Sequence, residues 1–141
     1  MRDIATPAGM VEVFHKLFDQ PVNKAPTKEV VQLRANLIEE ETKEVSEELS
    51  DIKAAIIRAE AGVVGHHIEY YETALLKELC DLLYVVYGTA VAFGYDIDGA
   101  FEEVHRSNMS KLGVDGKPVR RDDGKALKGP NYFKANVGKY V

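Results

Sequence analysis

The chain has 141 residues, 45% hydrophobic and 29% charged, a balance that excludes a disordered polymer and fits one folded domain. Eighteen Lys and Arg stand against 23 Asp and Glu, a net charge of −5, which argues against a protein that grips nucleic-acid polymers by neutralising their phosphates. A single cysteine, Cys80, excludes a disulfide framework and a multi-cysteine zinc site; no apolar signal core opens the chain and no apolar stretch reaches the roughly 20 residues of a membrane span, so the expectation is a cytoplasmic protein without membrane contact.

Thr6-Pro7 reads as an N-cap followed by proline at the first helical position. Met10, Val13, Phe14, Leu17 and Phe18 continue at helical spacing, which predicts a short amphipathic first helix to about Asp19. Gln20 to Pro26 is a loop, and Thr27 caps the next helix. Lys28 to Ala61 holds neither Gly nor Pro and consists mostly of strong helix formers. A break at Gly62 to His67 precedes a third helix over Ile68–Phe93, stopped by Gly94. Asp96 or Asp98 caps a fourth helix that ends near Leu112. Turns are expected at Asp115-Gly116 and Asp123-Gly124, and a short terminal helix over Asn131–Val137. The fold class is therefore all-α, four main helices with short links. Residues 1–112 form a helical body with 11 basic and 20 acidic side chains, and residues 113–141 a basic, Gly-rich tail with seven against three, in the same domain.

The second helix carries Glu40, Glu41, Glu44, Glu47 and Glu48, and at about 100° per residue all five share a face roughly 120° wide. Like charges at this spacing weaken a helix. Leu37, Ile38 and Val45 turn part of that face inward. The third helix adds Glu78 and Asp81 inside the run Leu75, Leu76, Leu79, Leu82, Leu83. Carboxylates among apolar neighbours are costly unless a cation joins them, and all-oxygen ligands suit Mg²⁺, with Mn²⁺ as substitute. The sequence thus reads as a two-helix magnesium site for a polyphosphate. The plainer alternative is a solvated acidic face. Cys80 is expected to be a small core residue beside the ligands, while Tyr84 and Tyr87 either pack in the core or line a base pocket.

Glu40-Glu41-x-x-Glu44 followed by Glu78-x-x-Asp81 resembles the EExxE…ExxD signature of the all-α NTP pyrophosphatases, which include MazG-like enzymes, dimeric dUTPases and phosphoribosyl-ATP pyrophosphohydrolases. Glu103 to Lys111 and the tail from Asp115 to Tyr132 resemble the branch near phosphoribosyl-ATP pyrophosphohydrolase, so the resemblance covers roughly residues 30–135. The motifs are separated by residues 45–77, longer than the family pattern, which implies an extended link between the second and third helices.

The resemblance implies hydrolysis of a nucleoside triphosphate, ribo- or deoxy- and with dUTP favoured, to a monophosphate and pyrophosphate, in a nucleotide-pool role. It implies Glu40, Glu44, Glu78 and Asp81 as Mg²⁺ ligands and Glu41 as the residue that orders or deprotonates water. Asn108, Lys111, Arg121 and Lys125 become substrate contacts. A homodimer is implied, with a tetramer as the alternative. Two rivals stand beside this reading. Glu12-x-x-His15 and Glu102-x-x-His105, with Glu44 and Glu78, match the ligand count of a di-iron four-helix protein. A non-catalytic helical interaction module would use the acidic face to dock a basic partner. His66-His67 reads as an exposed loop pair.

Overall fold

The computed structural model describes residues 2–63 and 68–141. The chain is all-α, with helices α1 (Pro7–Leu17), α2 (Lys28–Glu60), α3 (Ile68–Phe93) and α4 (Ile97–Met109), then a 3-10 turn at Val137–Tyr140. His66 and His67 lie outside the described residues. The chain divides into two compact units, Met1–Phe93 and Gly94–Val141. The division falls ahead of α4, whereas the step in charge along the sequence falls at Gly113.

In the first unit, Thr6 caps α1 by accepting from the Gly9 amide, and Thr27 caps α2 by accepting from the Val30 amide. With no Gly or Pro inside it, α2 runs unbroken for 33 residues. Much of the extra length between the acidic motifs is therefore taken up by helix, leaving residues 61–67 between α2 and α3, of which 64–67 lie outside the described residues. α2 and α3 pack together and α1 packs on α3. The buried apolar residues are small: Ala8, Val11, Val45, Ala55, Ala90, Val91 and Ala92. Small residues on α3 let α1 come close, and the loop after α1 closes the end of α3: the Asn23 and Lys24 amides donate to the carbonyls of Val91 and Ala92 at 3.0 and 2.9 Å.

In the second unit, Asp96 caps α4 by accepting from the Gly99 amide. The basic segment beyond α4 is shaped by two tight turns, in which Gly116 and Gly124 take φ of 73° and 82°. Only glycine adopts such angles without strain. Isolated antiparallel bridges join Leu112 to Pro118 and Arg120 to Ala126. The terminal helix expected over Asn131–Val137 is not formed. Its backbone is bonded to α4 side chains instead: Ser107 Oγ donates to the Phe133 carbonyl, and the Asn136 amide donates to Glu103 Oε1 at 3.0 Å. Only the 3-10 turn after it is regular.

Candidate active site

Three observations fix the register of α2 against α3. Glu44 lies with its carboxylate within 4.8 Å of that of Glu78, Glu41 senses the charge of Asp81, and Arg34 approaches Gly88. In each pair the residue numbers total 122, so the helices run antiparallel without slippage over this stretch. On α2, Arg34, Glu41 and Val45 are spaced by seven and four residues and so share the face toward α3. Glu44 lies a turn further along at its edge.

This register brings Glu41, Glu44 and Glu78 together. One carboxylate oxygen from each lies within 4.8 Å of the others, and all three residues are half-buried. Glu41 Oε2 is buried and has no hydrogen-bond partner among the described residues. Burial foremost, then the charges of Asp81 and Glu40, raises the Glu41 carboxyl above its ordinary range. Glu44 is raised too, first by its hydrogen bonding with Glu78 and then by burial. A divalent cation bound among crowded carboxylates relieves their mutual repulsion and displaces any proton they share. An orphaned buried oxygen beside two more on facing helices fits such an ion, and an all-oxygen set fits Mg²⁺ or Mn²⁺.

Asp81 stands at the rim, its side chain 42% exposed, and Lys77 bridges it to Glu78 with Nζ–O distances of 2.8 and 3.0 Å. Glu40 is exposed and outside the group of three. The family pattern gives the ligand role to Glu40 and the water to Glu41; the geometry groups Glu41 with Glu44 and Glu78. Glu47 is exposed and pairs with Lys43 at 3.6 Å. Cys80 is exposed rather than in the core. With Glu78 and Asp81 turned toward α2, position 80 falls about 100° or more from each, on the far side of α3.

The candidate substrate contacts belong to the second unit. Lys111 Nζ donates to Asn108 Oδ1 at 2.7 Å, one helical turn apart. Arg121 forks onto Asp123 through Nε and Nη2, and the Lys125 amide donates to the same carboxylate. Arg121 thus already has an anionic partner, whereas Lys111 has a neutral one.

Of the residues of the di-iron alternative, Glu12 and His15 are engaged elsewhere. Glu12 is buried between Arg2, at 3.1 Å, and Lys16, at 2.5 Å, and these bonds, that from Lys16 foremost, lower its pKa to about 2. His15 Nδ1 donates to the Pro21 carbonyl at 2.8 Å. Glu102 and His105 are both exposed. Two further residues escape a reading of motifs. Lys77 was legible as a cation one residue before Glu78. Arg34, only 5% exposed, was legible as a charge seven residues before Glu41 on the same helical face.

The family model for phosphoribosyl-ATP pyrophosphohydrolase matches residues 11–108. No protein of curated function matches the chain significantly.

Proposed function

Because the chain belongs to the phosphoribosyl-ATP pyrophosphohydrolase family, pyrophosphohydrolases of the MazG-like all-α superfamily, we propose that it hydrolyses a nucleoside triphosphate, with dUTP among the favoured candidates, to a monophosphate and pyrophosphate in a Mg²⁺-dependent reaction. The observation that carries this is the convergence of Glu41, Glu44 and Glu78 from two helices, with a buried Glu41 oxygen lacking a partner.

Glu41, Glu44 and Glu78 would hold the cation, with Asp81 joining when Lys77 releases it. Bound there, a divalent ion supplies charge neutralisation for the phosphates and lowers the pKa of water. Exposed Glu40, one residue from the cluster, is proposed to accept a proton from attacking water. Lys77 balances the carboxylates when no cation is present. Lys111 and Asn108 are proposed to contact phosphate and sugar or base. The basic segment with Arg121 and Lys125 suits a polyanionic leaving group.

A homodimer is part of the proposal, with a tetramer as the alternative. Leu76, Leu79 and Leu83 lie at three- and four-residue spacing along α3 and are 63, 40 and 56% exposed, an apolar stripe of the kind helices bury against a second copy. A cytoplasmic role in clearing the nucleotide pool follows from the substrate class.

The reaction is tested by product analysis over a panel of ribo- and deoxynucleoside triphosphates, with Mg²⁺, Mn²⁺ or chelator. Metal-dependent release of monophosphate and pyrophosphate is expected. Release of orthophosphate alone, or no release by the folded protein, would overturn the proposal.

A further inference from the structure

Arg34 is the most anomalous side chain of the first unit. It is 5% exposed, yet its Nε and Nη2 have no hydrogen-bond partner among the described residues. A charged group so placed is costly unless an acceptor reaches it. Its neighbour His15 is 3% exposed. The His15 Nδ1–H is committed to the Pro21 carbonyl, and burial foremost, with Arg34 adding to it, lowers the ring pKa. The ring is therefore neutral, and Nε2 is a lone-pair acceptor. Both groups close on Gly88: a Cβ there would lie 3.0 Å from His15 Nε2 and 3.2 Å from Arg34 Nη1. Arg34 Nη1, a donor, and His15 Nε2, an acceptor, thus face the same glycine, and the unpartnered Nε and Nη2 belong to the same guanidinium.

Their position relative to the carboxylates narrows what they could bind. Arg34 is seven residues before Glu41 on one face of α2, about 10 Å along the axis. The same register sets Ile38 opposite Tyr84 midway between them. Phe14 of α1 meets Tyr84 edge-on at 5.5 Å and stacks on Phe18 at 4.3 Å, and these rings are 38, 41 and 61% exposed for Phe14, Tyr84 and Phe18. An accessible aromatic shelf therefore lies between the carboxylates and the Arg34–His15 pair. The β- and γ-phosphates of a nucleotide held at the carboxylates stay within a bridge or two of them. Its base extends about as far as Arg34. Aromatic shelves stack bases, and a polar edge beyond a shelf reads them.

Resting on the reading of the carboxylates as a nucleotide site, we propose that Arg34 and His15 are its base-reading residues and select a lactam edge, a carbonyl next to a ring N–H. The Arg34 fork donates to the carbonyl oxygen and His15 Nε2 accepts the ring N–H. Uracil, thymine and guanine present that edge. Cytosine and adenine present the reverse, an amino donor beside a ring acceptor, which leaves the buried pair unsatisfied.

The test has two arms. In the first, kcat/KM is measured with Mg²⁺ for dUTP, dTTP, dGTP, dCTP and dATP in the wild type, Arg34→Met and Arg34→Lys, with the helical dichroism of each variant as control. The wild type is expected to favour the lactam bases by about tenfold or more. The preference should reside in KM, collapse in Arg34→Met and be partly kept by Arg34→Lys. A wild type without the preference, or an Arg34→Met that retains it or weakens all five substrates equally, overturns the proposal and leaves the pyrophosphohydrolase reading standing. The second arm needs no turnover: thermal shifts with 2′-deoxyuridine and 2′-deoxyadenosine in chelator. A shift with deoxyuridine alone, lost in Arg34→Met, supports base reading even if no nucleotide is hydrolysed. Equal shifts, or none at millimolar nucleoside, overturn it. If Arg34→Met instead breaks the oligomer, Arg34 serves a carboxylate of a second copy and the proposal fails.

Discussion

Replacing Glu41 by Gln keeps the shape of the side chain and removes one charge from the cluster. In the metal-free protein Glu41 carries a buried oxygen without a partner and faces Asp81, Glu40 and Glu78. An unsatisfied buried acceptor costs about 1–3 kcal/mol, and removing its charge should recover on the order of 1–2 kcal/mol of that. For a domain of this size that is a rise in Tm of roughly 3–8 °C. With Mg²⁺ the order should invert. A cation at about one hundred times its Kd stabilises the wild type by about 2.7 kcal/mol, and Glu41→Gln should lose most of this. Thermal melts of both proteins, in chelator and over a Mg²⁺ series, give the comparison directly. A variant less stable than the wild type in chelator, yet equally stabilised by Mg²⁺, would refute the argument and make Glu41 a structural residue.

Three more outcomes follow from the same geometry. Glu41 and Glu44 have raised pKa values, so between the ordinary 4.5 and those values the native state binds more protons than the unfolded one. Metal-free stability contributed by these groups should therefore fall as pH rises above 4.5; melts of Glu44→Gln against the wild type in chelator should show the wild type losing ground with pH. Glu12 has the opposite sign: its pKa is lowered from 4.5 to about 2, so its contribution is present above 4.5 and lost as pH falls toward 2, and Glu12→Gln should be destabilised at neutral pH with that deficit vanishing in acid. Lys77→Met should bind Mg²⁺ severalfold more tightly, because the ammonium no longer competes for Asp81 and Glu78; a calorimetric titration showing weaker binding would instead make Lys77 an organiser of the ligands.

The helices were legible in the sequence because their ends are written in local chemistry: Thr6-Pro7, Thr27, Gly94 and Asp96 each set a boundary near its observed place. The tail turns at Asp115-Gly116 and Asp123-Gly124 were legible for the same reason. The Asn131–Val137 segment misled because its backbone partners, Ser107 and Glu103, lie more than 20 residues away in sequence. Helical phase put the acidic residues on one side of α2, but that Glu41, and not Glu40, meets Glu44 and Glu78 is visible only from the register against α3. Apolar neighbours suggested a buried Cys80, yet Leu76, Leu79 and Leu83 are themselves exposed, and only Leu75 and Leu82 of that run are half-buried. Arg34 carried no motif. Its meaning came only when α1 brought His15 to the same glycine.

The most direct measurement of the central claim is a Mn²⁺ titration followed by electron paramagnetic resonance, comparing the wild type with Glu44→Ala. If Glu41, Glu44 and Glu78 form a divalent-cation site, the free Mn²⁺ signal falls on titration into the wild type, is restored by excess Mg²⁺, and stays undiminished with folded Glu44→Ala. Equal binding by both proteins, or none by the wild type, would contradict the claim.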